Sequence, residues 1–144
     1  MATLFTKIIQ GEIPASFVWK DELSVAFMSI NPLRPGHTLV VPREEVDHWI
    51  DCPAPLREHL LDVARQIGQA QLKVYRPQRI GLVIAGLEVP HLHLHVVPIN
   101  NAADLEFSWA AKDVETEALE QAASSIRYIL RSMGSTGVVE EAGF

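Results

Sequence analysis

His91-Leu92-His93-Leu94-His95-Val96-Val97-Pro98 alternates imidazole and aliphatic side chains through its first six residues. Side chains along a β-strand point to opposite faces in turn, so the spacing predicts a strand over 91–98 with His91, His93 and His95 on one face. Leu92, Leu94 and Val96 take the other face, an apolar surface suited to burial against a helix. A rise of about 3.3 Å per residue sets successive imidazoles roughly 6.5–7 Å apart.

Just upstream, residues 79–85 form a second apolar stretch of strand length. Further back, 16–20, 25–30 and 37–42 are β-branched and aromatic enough to be strands. Asp21-Glu22 is a turn, and Asn31-Pro32-Leu33-Arg34-Pro35-Gly36 is loop chemistry. Phe5 opens an apolar turn that Gly11-Glu12-Ile13-Pro14 ends. From Pro55, a favoured first-turn residue, Leu56, Leu60, Val63, Ala64, Ile67 and Val74 recur at three- and four-residue steps and predict a helix ending before Pro77. Val114, Ala118, Ala122, Ile126, Ile129 and Met133 line a second helix over 113–133, closed by Gly134. No repeat or linker interrupts the chain, so one domain is expected over 1–144, with a flexible tail over 135–144. Strands joined by short turns, plus two separate helices, predict an α+β fold: an antiparallel sheet of about five strands with two main helices packed on it.

Bulk properties narrow the function. The 144 residues carry a net charge of −6 and show no Lys/Arg run, which argues against a polymeric nucleic acid as partner. A single cysteine, Cys52, excludes an intramolecular disulfide and suits a reducing compartment. With neither a signal-peptide pattern nor an apolar run of membrane-spanning length, the expected location is cytoplasmic.

The residues of the histidine strand leave three readings. An amphipathic strand can expose a polar face, but half of the chain's six histidines fall within five residues here, with no Lys, Glu or Thr among them. A His-x-His pair can chelate a metal, although three ligands from one strand fit a tetrahedral site poorly. Nucleophilic and acid–base chemistry is the third. Imidazole titrates near pH 6.5, so at neutral pH much of it is uncharged and nucleophilic. Attack on phosphorus divides one difficult displacement into two, and flanking imidazoles can stabilise phosphoryl oxygens. His93 has a neighbour on each side.

The order His-φ-His-φ-His-φ-φ, with φ hydrophobic, resembles the signature of the histidine triad family. Leu4-Phe5-Thr6-Lys7-Ile8-Ile9-Gln10-Gly11-Glu12-Ile13-Pro14 is similar to that family's N-terminal segment, and Ile30-Asn31-Pro32 through Pro35-Gly36-His37-Thr38-Leu39-Val40-Val41-Pro42 to its middle one. The resemblance runs over residues 4–98. It implies a hydrolase or transferase acting at the α-phosphate of nucleotide phosphoramidates, dinucleoside polyphosphates or nucleotide sugars, with a purine nucleotide as partner and no cofactor. It further implies that His93 is the nucleophile, that His95 contacts the phosphate, and that His91 and His37 orient the site. Leu4, Phe5, Ile8, Phe27 and Ile30 fall at the family's base-pocket positions, and Ser29 at its ribose contact. The length resembles the Hint-like branch, which implies a homodimer built on the 56–75 helix.

The chain departs from the family pattern in four places. Thr3 and Thr6 stand where many bacterial members have Cys-x-x-Cys, and Glu45 stands where they have a further zinc-binding histidine, so no metal site is expected. Ser29 replaces an acidic or amide residue. Ala85-Gly86-Leu87-Glu88-Val89 has Leu87 where glutamine is usual, which leaves the backbone N–H groups near Glu88 and Val89 as phosphate donors; Pro90 has none. The C-terminal helix lies outside the matched motifs. Two alternatives follow: a metal-dependent hydrolase using His91, His93 and His95, and a non-enzymatic nucleotide-binding module. His48 and His59 are expected at the surface, as are Arg34 and Arg43, with Trp109 packed and Cys52 unreactive.

Overall fold

The computed structural model describes residues 2–139. Eight principal elements follow in chain order: α1 (Leu4–Ile9), β1 (Phe17–Lys20), β2 (Ser24–Met28), β3 (Thr38–Pro42), α2 (Ala54–Tyr75), β4 (Arg79–Val83), β5 (Leu94–Ile99) and α3 (Thr116–Ser132). The strands form one antiparallel sheet in the order β1-β2-β3-β5-β4. Five antiparallel strands with two long helices are the α+β architecture that the patterning predicts.

Alternation along the strands divides the core in two. Val18, Ala26, Met28, Val40, Leu94 and Val96 face α2 and α3, where Leu60, Ile67, Ile126 and Leu130 are fully buried. Each such aliphatic side chain contributes about 1.5–3 kcal/mol by leaving water. Phe17, Val25, Phe27, Leu39 and Val41 face the other way and pack with Phe5 and Ile8 of α1. A six-residue helix cannot hold itself together in water, so α1 depends on those contacts and on its N-cap, Thr3, whose hydroxyl accepts the Thr6 N–H.

Several boundaries differ from the sequence reading, each for a local reason. Ladder pairing of β5 begins at Leu94 instead of His91. In the observed register Leu92 would face Pro42, which has no N–H to donate, and Leu92 bonds to the Val46 carbonyl at 2.6 Å instead. β2 ends at Met28 because the Ser29 hydroxyl accepts the Asn31 N–H and turns the chain. The apolar stripe of α3 is displaced in part: Ile126 is buried and Ala122 and Ile129 pack against the core as expected, Ala123, Arg127 and Leu130 are buried beside them, and Ala118 is exposed. Arg127 masks this stripe in the sequence. Its guanidinium reaches the core face by donating to the Phe17 carbonyl at 2.7 Å and pairing with Glu120. Of the expected flexible tail, 140–144 lie outside the described residues, while 137–139 run along β1. Lys20 N–H donates to the Gly137 carbonyl at 2.9 Å, and Val139 N–H to the Val18 carbonyl at 3.2 Å. Gly137 lies flat on the Trp19 indole, where a Cβ would fall 2.1 Å from the ring.

Candidate active site

Leu92, Leu94 and Val96 point into the helix-facing core, so the three alternating imidazoles lie on the opposite face even though the ladder starts only at Leu94. His37, immediately before β3, joins them. All four histidines are buried.

Their partners fix which nitrogen of each ring carries hydrogen. Leu33 N–H donates to His37 Nδ1 at 3.0 Å, so the His37 hydrogen sits on Nε2 and is donated to His95 Nδ1 at 2.9 Å. His95 therefore carries its own hydrogen on Nε2. His93 is the reverse. Its Nδ1–H donates to the His91 carbonyl at 2.7 Å, which leaves Nε2 with a lone pair. His91 uses both nitrogens: Nε2–H donates to the Pro42 carbonyl at 2.7 Å, and Nδ1 accepts the Thr3 hydroxyl at 2.7 Å. Neither His93 Nε2 nor His95 Nε2 bonds to any of the described residues. With ring centroids 4.9 Å apart, the two histidines pair a bare nitrogen with an N–H donor.

Burial disfavours the charged form of His37, His93 and His95. It lowers the His37 pKa to about 3, with further depression from the positive charges that His95 and His93 would carry. Burial, and then His93, lower His95 to about 4. His93 is lowered chiefly by burial; its bond to the His91 carbonyl and the nearby Glu88 carboxylate offset part of that. At neutral pH His37, His93 and His95 are therefore neutral imidazoles.

Phe5 stands edge-on to His93 at 4.9 Å, to His91 at 5.7 Å and to Phe27 at 5.6 Å. With Ile8 and Val89 these rings form an apolar wall beside the triad. Leu4 and Ile30 stand outside that cluster, 45% and 69% exposed. Ser29 is buried and accepts from Asn31 N–H, so its own hydrogen is free to donate. The Glu88 and Val89 N–H groups have no acceptor among the described residues. Leu87 is 95% exposed and forms no part of the wall.

Three contributors escaped the sequence reading. Gln71, fully buried on α2, donates through Nε2 to the carbonyls of Gly36 and Val96, each at 2.9 Å. It thereby ties the residue before His37 to the residue after His95, and a polar residue within an apolar helical stripe was the available signal. Phe107 places its ring edge-on to His95 at 5.0 Å, and nothing in the sequence marks it. Thr3 is the third, through its bond to His91. Gly36 is dictated by position: φ is +91° and a Cβ there would lie 2.3 Å from Tyr75 Cε2.

Other expectations are corrected. His59 is half-buried, and its Nε2 bonds Asp21 Oδ2 at 2.8 Å and lies 3.3 Å from Ser24 Oγ. One nitrogen serves both partners, so the group does not form a nucleophilic relay. Asp21 also accepts from Trp19 Nε1 and from the Leu23 and Ser24 N–H groups, which makes it the organiser of the β1–β2 turn. Trp109 is 73% exposed instead of packed. His48 is at the surface as expected, and Cys52, expected to be unreactive, is buried, with burial pushing its thiol pKa up. A concavity of about 460 Å³ between α2 and the end of α3, lined by Arg65, Gln69, Leu72, Lys73 and Ser135, lies across the sheet from the histidines.

The residues do not fit a zinc ion. Where the family resemblance places two thiolates and an imidazole, Thr3 and Thr6 offer neutral hydroxyls, and Glu45 accepts from the Thr6 hydroxyl and from Thr3 N–H at 3.0 Å. The strand also presents no three-imidazole chelate, because the hydrogen bonds above occupy both nitrogens of His91 and the Nδ1 atoms of His93 and His95.

Comparison with known proteins agrees with this picture. Residues 10–102 match the HIT domain. A HIT-like protein of Borreliella burgdorferi is 37% identical over 102 residues, covering 66% of this chain and 73% of the relative. The adenosine 5′-monophosphoramidase of Saccharomyces cerevisiae is 29% identical over 120 residues, covering 82% of this chain and 76% of the relative. Among solved structures, a zinc-bound histidine triad protein of Mycobacterium smegmatis superposes with a TM-score of 0.79 at 26% identity, covering 94% of this chain and 97% of that one.

Proposed function

Because the chain belongs to the histidine triad family, we propose that it hydrolyses nucleotide phosphoramidates or dinucleoside polyphosphates at the α-phosphate through a nucleotidyl-His93 intermediate. The observation that carries this reading is the pairing of a lone pair on His93 Nε2 with an N–H on His95 Nε2, both fixed by buried hydrogen bonds. The yeast relative is a monophosphoramidase, which supports a purine nucleotide amidate as substrate.

In this reading the base rests against Phe5, Ile8 and Phe27, with Leu4 and Ile30 at the rim and Ser29 facing the ribose. His93 Nε2 attacks the α-phosphorus. The phosphorus–nitrogen bond to the ring forms as the bond to the leaving group breaks, and the leaving group takes its electron pair and a proton from solvent water. His95 Nε2–H and the free N–H groups of Glu88 and Val89 bind the non-bridging oxygens, whose charge rises in the transition state. Water then opens the nucleotidyl-histidine. His91 and His37 hold the two reacting rings.

Replacing His93 by Ala is expected to lower turnover of adenosine 5′-phosphoramidate by about 10⁴-fold or more, as other nucleophile removals do. Unchanged turnover in the variant overturns the assignment. We also propose that two copies pair across α2 and the edge strand β4, where Leu72 and Leu82 are exposed.

A further inference from the structure

Glu45, Thr6, Thr3, His91 and His93 form a single hydrogen-bond chain whose direction is fixed. Glu45 Oε1 accepts from the Thr6 hydroxyl and from Thr3 N–H at 3.0 Å. Thr6 has thereby committed its only hydroxyl hydrogen, and its N–H is given to Thr3 Oγ1 at 3.1 Å. In a neutral ring His91 Nε2 donates, because its partner is a carbonyl, and Nδ1 is left to accept. The one hydrogen of Thr3 therefore goes to His91 at 2.7 Å and not to Thr6 Oγ1, which lies farther away at 3.2 Å. The His91 carbonyl in turn holds His93 Nδ1–H at 2.7 Å.

We propose that Thr3 is a positioning residue for the nucleophile, held in its donating orientation by Thr6 and Glu45, so that one chain of hydrogen bonds sets both α1 and the His93 ring. The proposal rests on His93 being the nucleophile. Three features support it. α1 is a six-residue helix that carries Phe5, the residue packed edge-on to both His91 and His93, so its seating and the ring positions are mechanically linked. The residues at the family's zinc-ligand positions form this chain instead, which gives the N-terminal segment an anchor on the triad without a metal. A buried nitrogen of His91 also has no donor other than Thr3 among the described residues.

The test compares Thr3→Val, Thr3→Ser and Glu45→Ala with the unmodified protein, using adenosine 5′-phosphoramidate. Thr3→Val keeps the shape and removes the donor. It is expected to lower kcat about tenfold, since small misplacements of a reacting group carry losses of that order, while Thr3→Ser recovers most of that loss. Glu45→Ala, at an exposed position, is expected to give a smaller loss of about threefold. The second readout needs no substrate: the downfield proton resonance of His93 Nδ1–H is expected to be sharp in the unmodified protein and to broaden by exchange in Thr3→Val and Glu45→Ala. A purely structural role lowers the melting temperature but leaves kcat of the folded protein and the proton line unchanged, and that result overturns the proposal. If Thr3→Val does not fold, an unmodified kcat and proton line in Glu45→Ala overturn it. If the unmodified protein turns over no nucleotide, the functional reading fails. The proton line then decides whether Thr3 sets the His93 ring, with broadening supporting that and constancy refuting it.

Discussion

The His91 carbonyl determines which end of the His93 ring can react. By taking the Nδ1 hydrogen it leaves Nε2 bare, and the His37–His95 bond does the opposite for the neighbouring ring. The histidine pattern identifies these residues from sequence, because strand alternation is a property of every extended backbone. Tautomers are not visible there, since they depend on Leu33 N–H, on the Pro42 and His91 carbonyls and on the Thr3 hydroxyl, each brought in by tertiary folding. The same surroundings govern the pH dependence. Burial lowers the pKa of His93, so the reactive neutral form persists to lower pH than in a free imidazole. The acid limb of kcat/KM is therefore expected to fall below the ordinary value of 6.5, with little loss between pH 7.5 and 6.5. A limb centred at or above 6.5 contradicts this environment for the ring.

Among the elements, the strands and α2 were legible because their periodicity is strong and their breakers are Pro and Gly. The α3 stripe is only partly legible, with Ala122, Ile126 and Ile129 on it, because Arg127 is a buried cation that pattern reading assigns to solvent. The start of β5 was misplaced because Pro42, on the partner strand, decides where pairing stops. The loop before β3 shows how an element boundary serves the site. Gly36 has a left-handed backbone, packs against Tyr75 and offers its carbonyl to Gln71. Gly36→Ala adds a Cβ that meets the Tyr75 ring and strains φ, so a loss of about 1–3 kcal/mol is expected, read as a lower melting temperature. Because His37 follows directly, turnover by the folded variant should fall as well. A variant as stable and active as the unmodified protein removes Gly36 from the design.

At the scale of the whole molecule, one sheet separates two environments: an aliphatic layer against α2 and α3, and an aromatic and imidazole layer beneath α1. The first supplies stability and the second holds the four histidines, so the proposed catalytic residues are carried by strands already fixed from behind. The exposed Leu72 and Leu82, with the open edge of β4, lead to the expectation that the protein sediments as a dimer and that Leu82→Glu shifts it toward monomer. Monomeric sedimentation of the unmodified protein at micromolar concentration contradicts the pairing.

The proposed bond between His93 Nε2 and the α-phosphorus is open to direct observation. Protein mixed with a dinucleoside polyphosphate, quenched within the first turnovers under alkaline conditions and examined by intact-mass and fragment mass spectrometry should carry one nucleotidyl group, located on His93. Turnover that proceeds with no adduct, or with the adduct on another residue, contradicts the account.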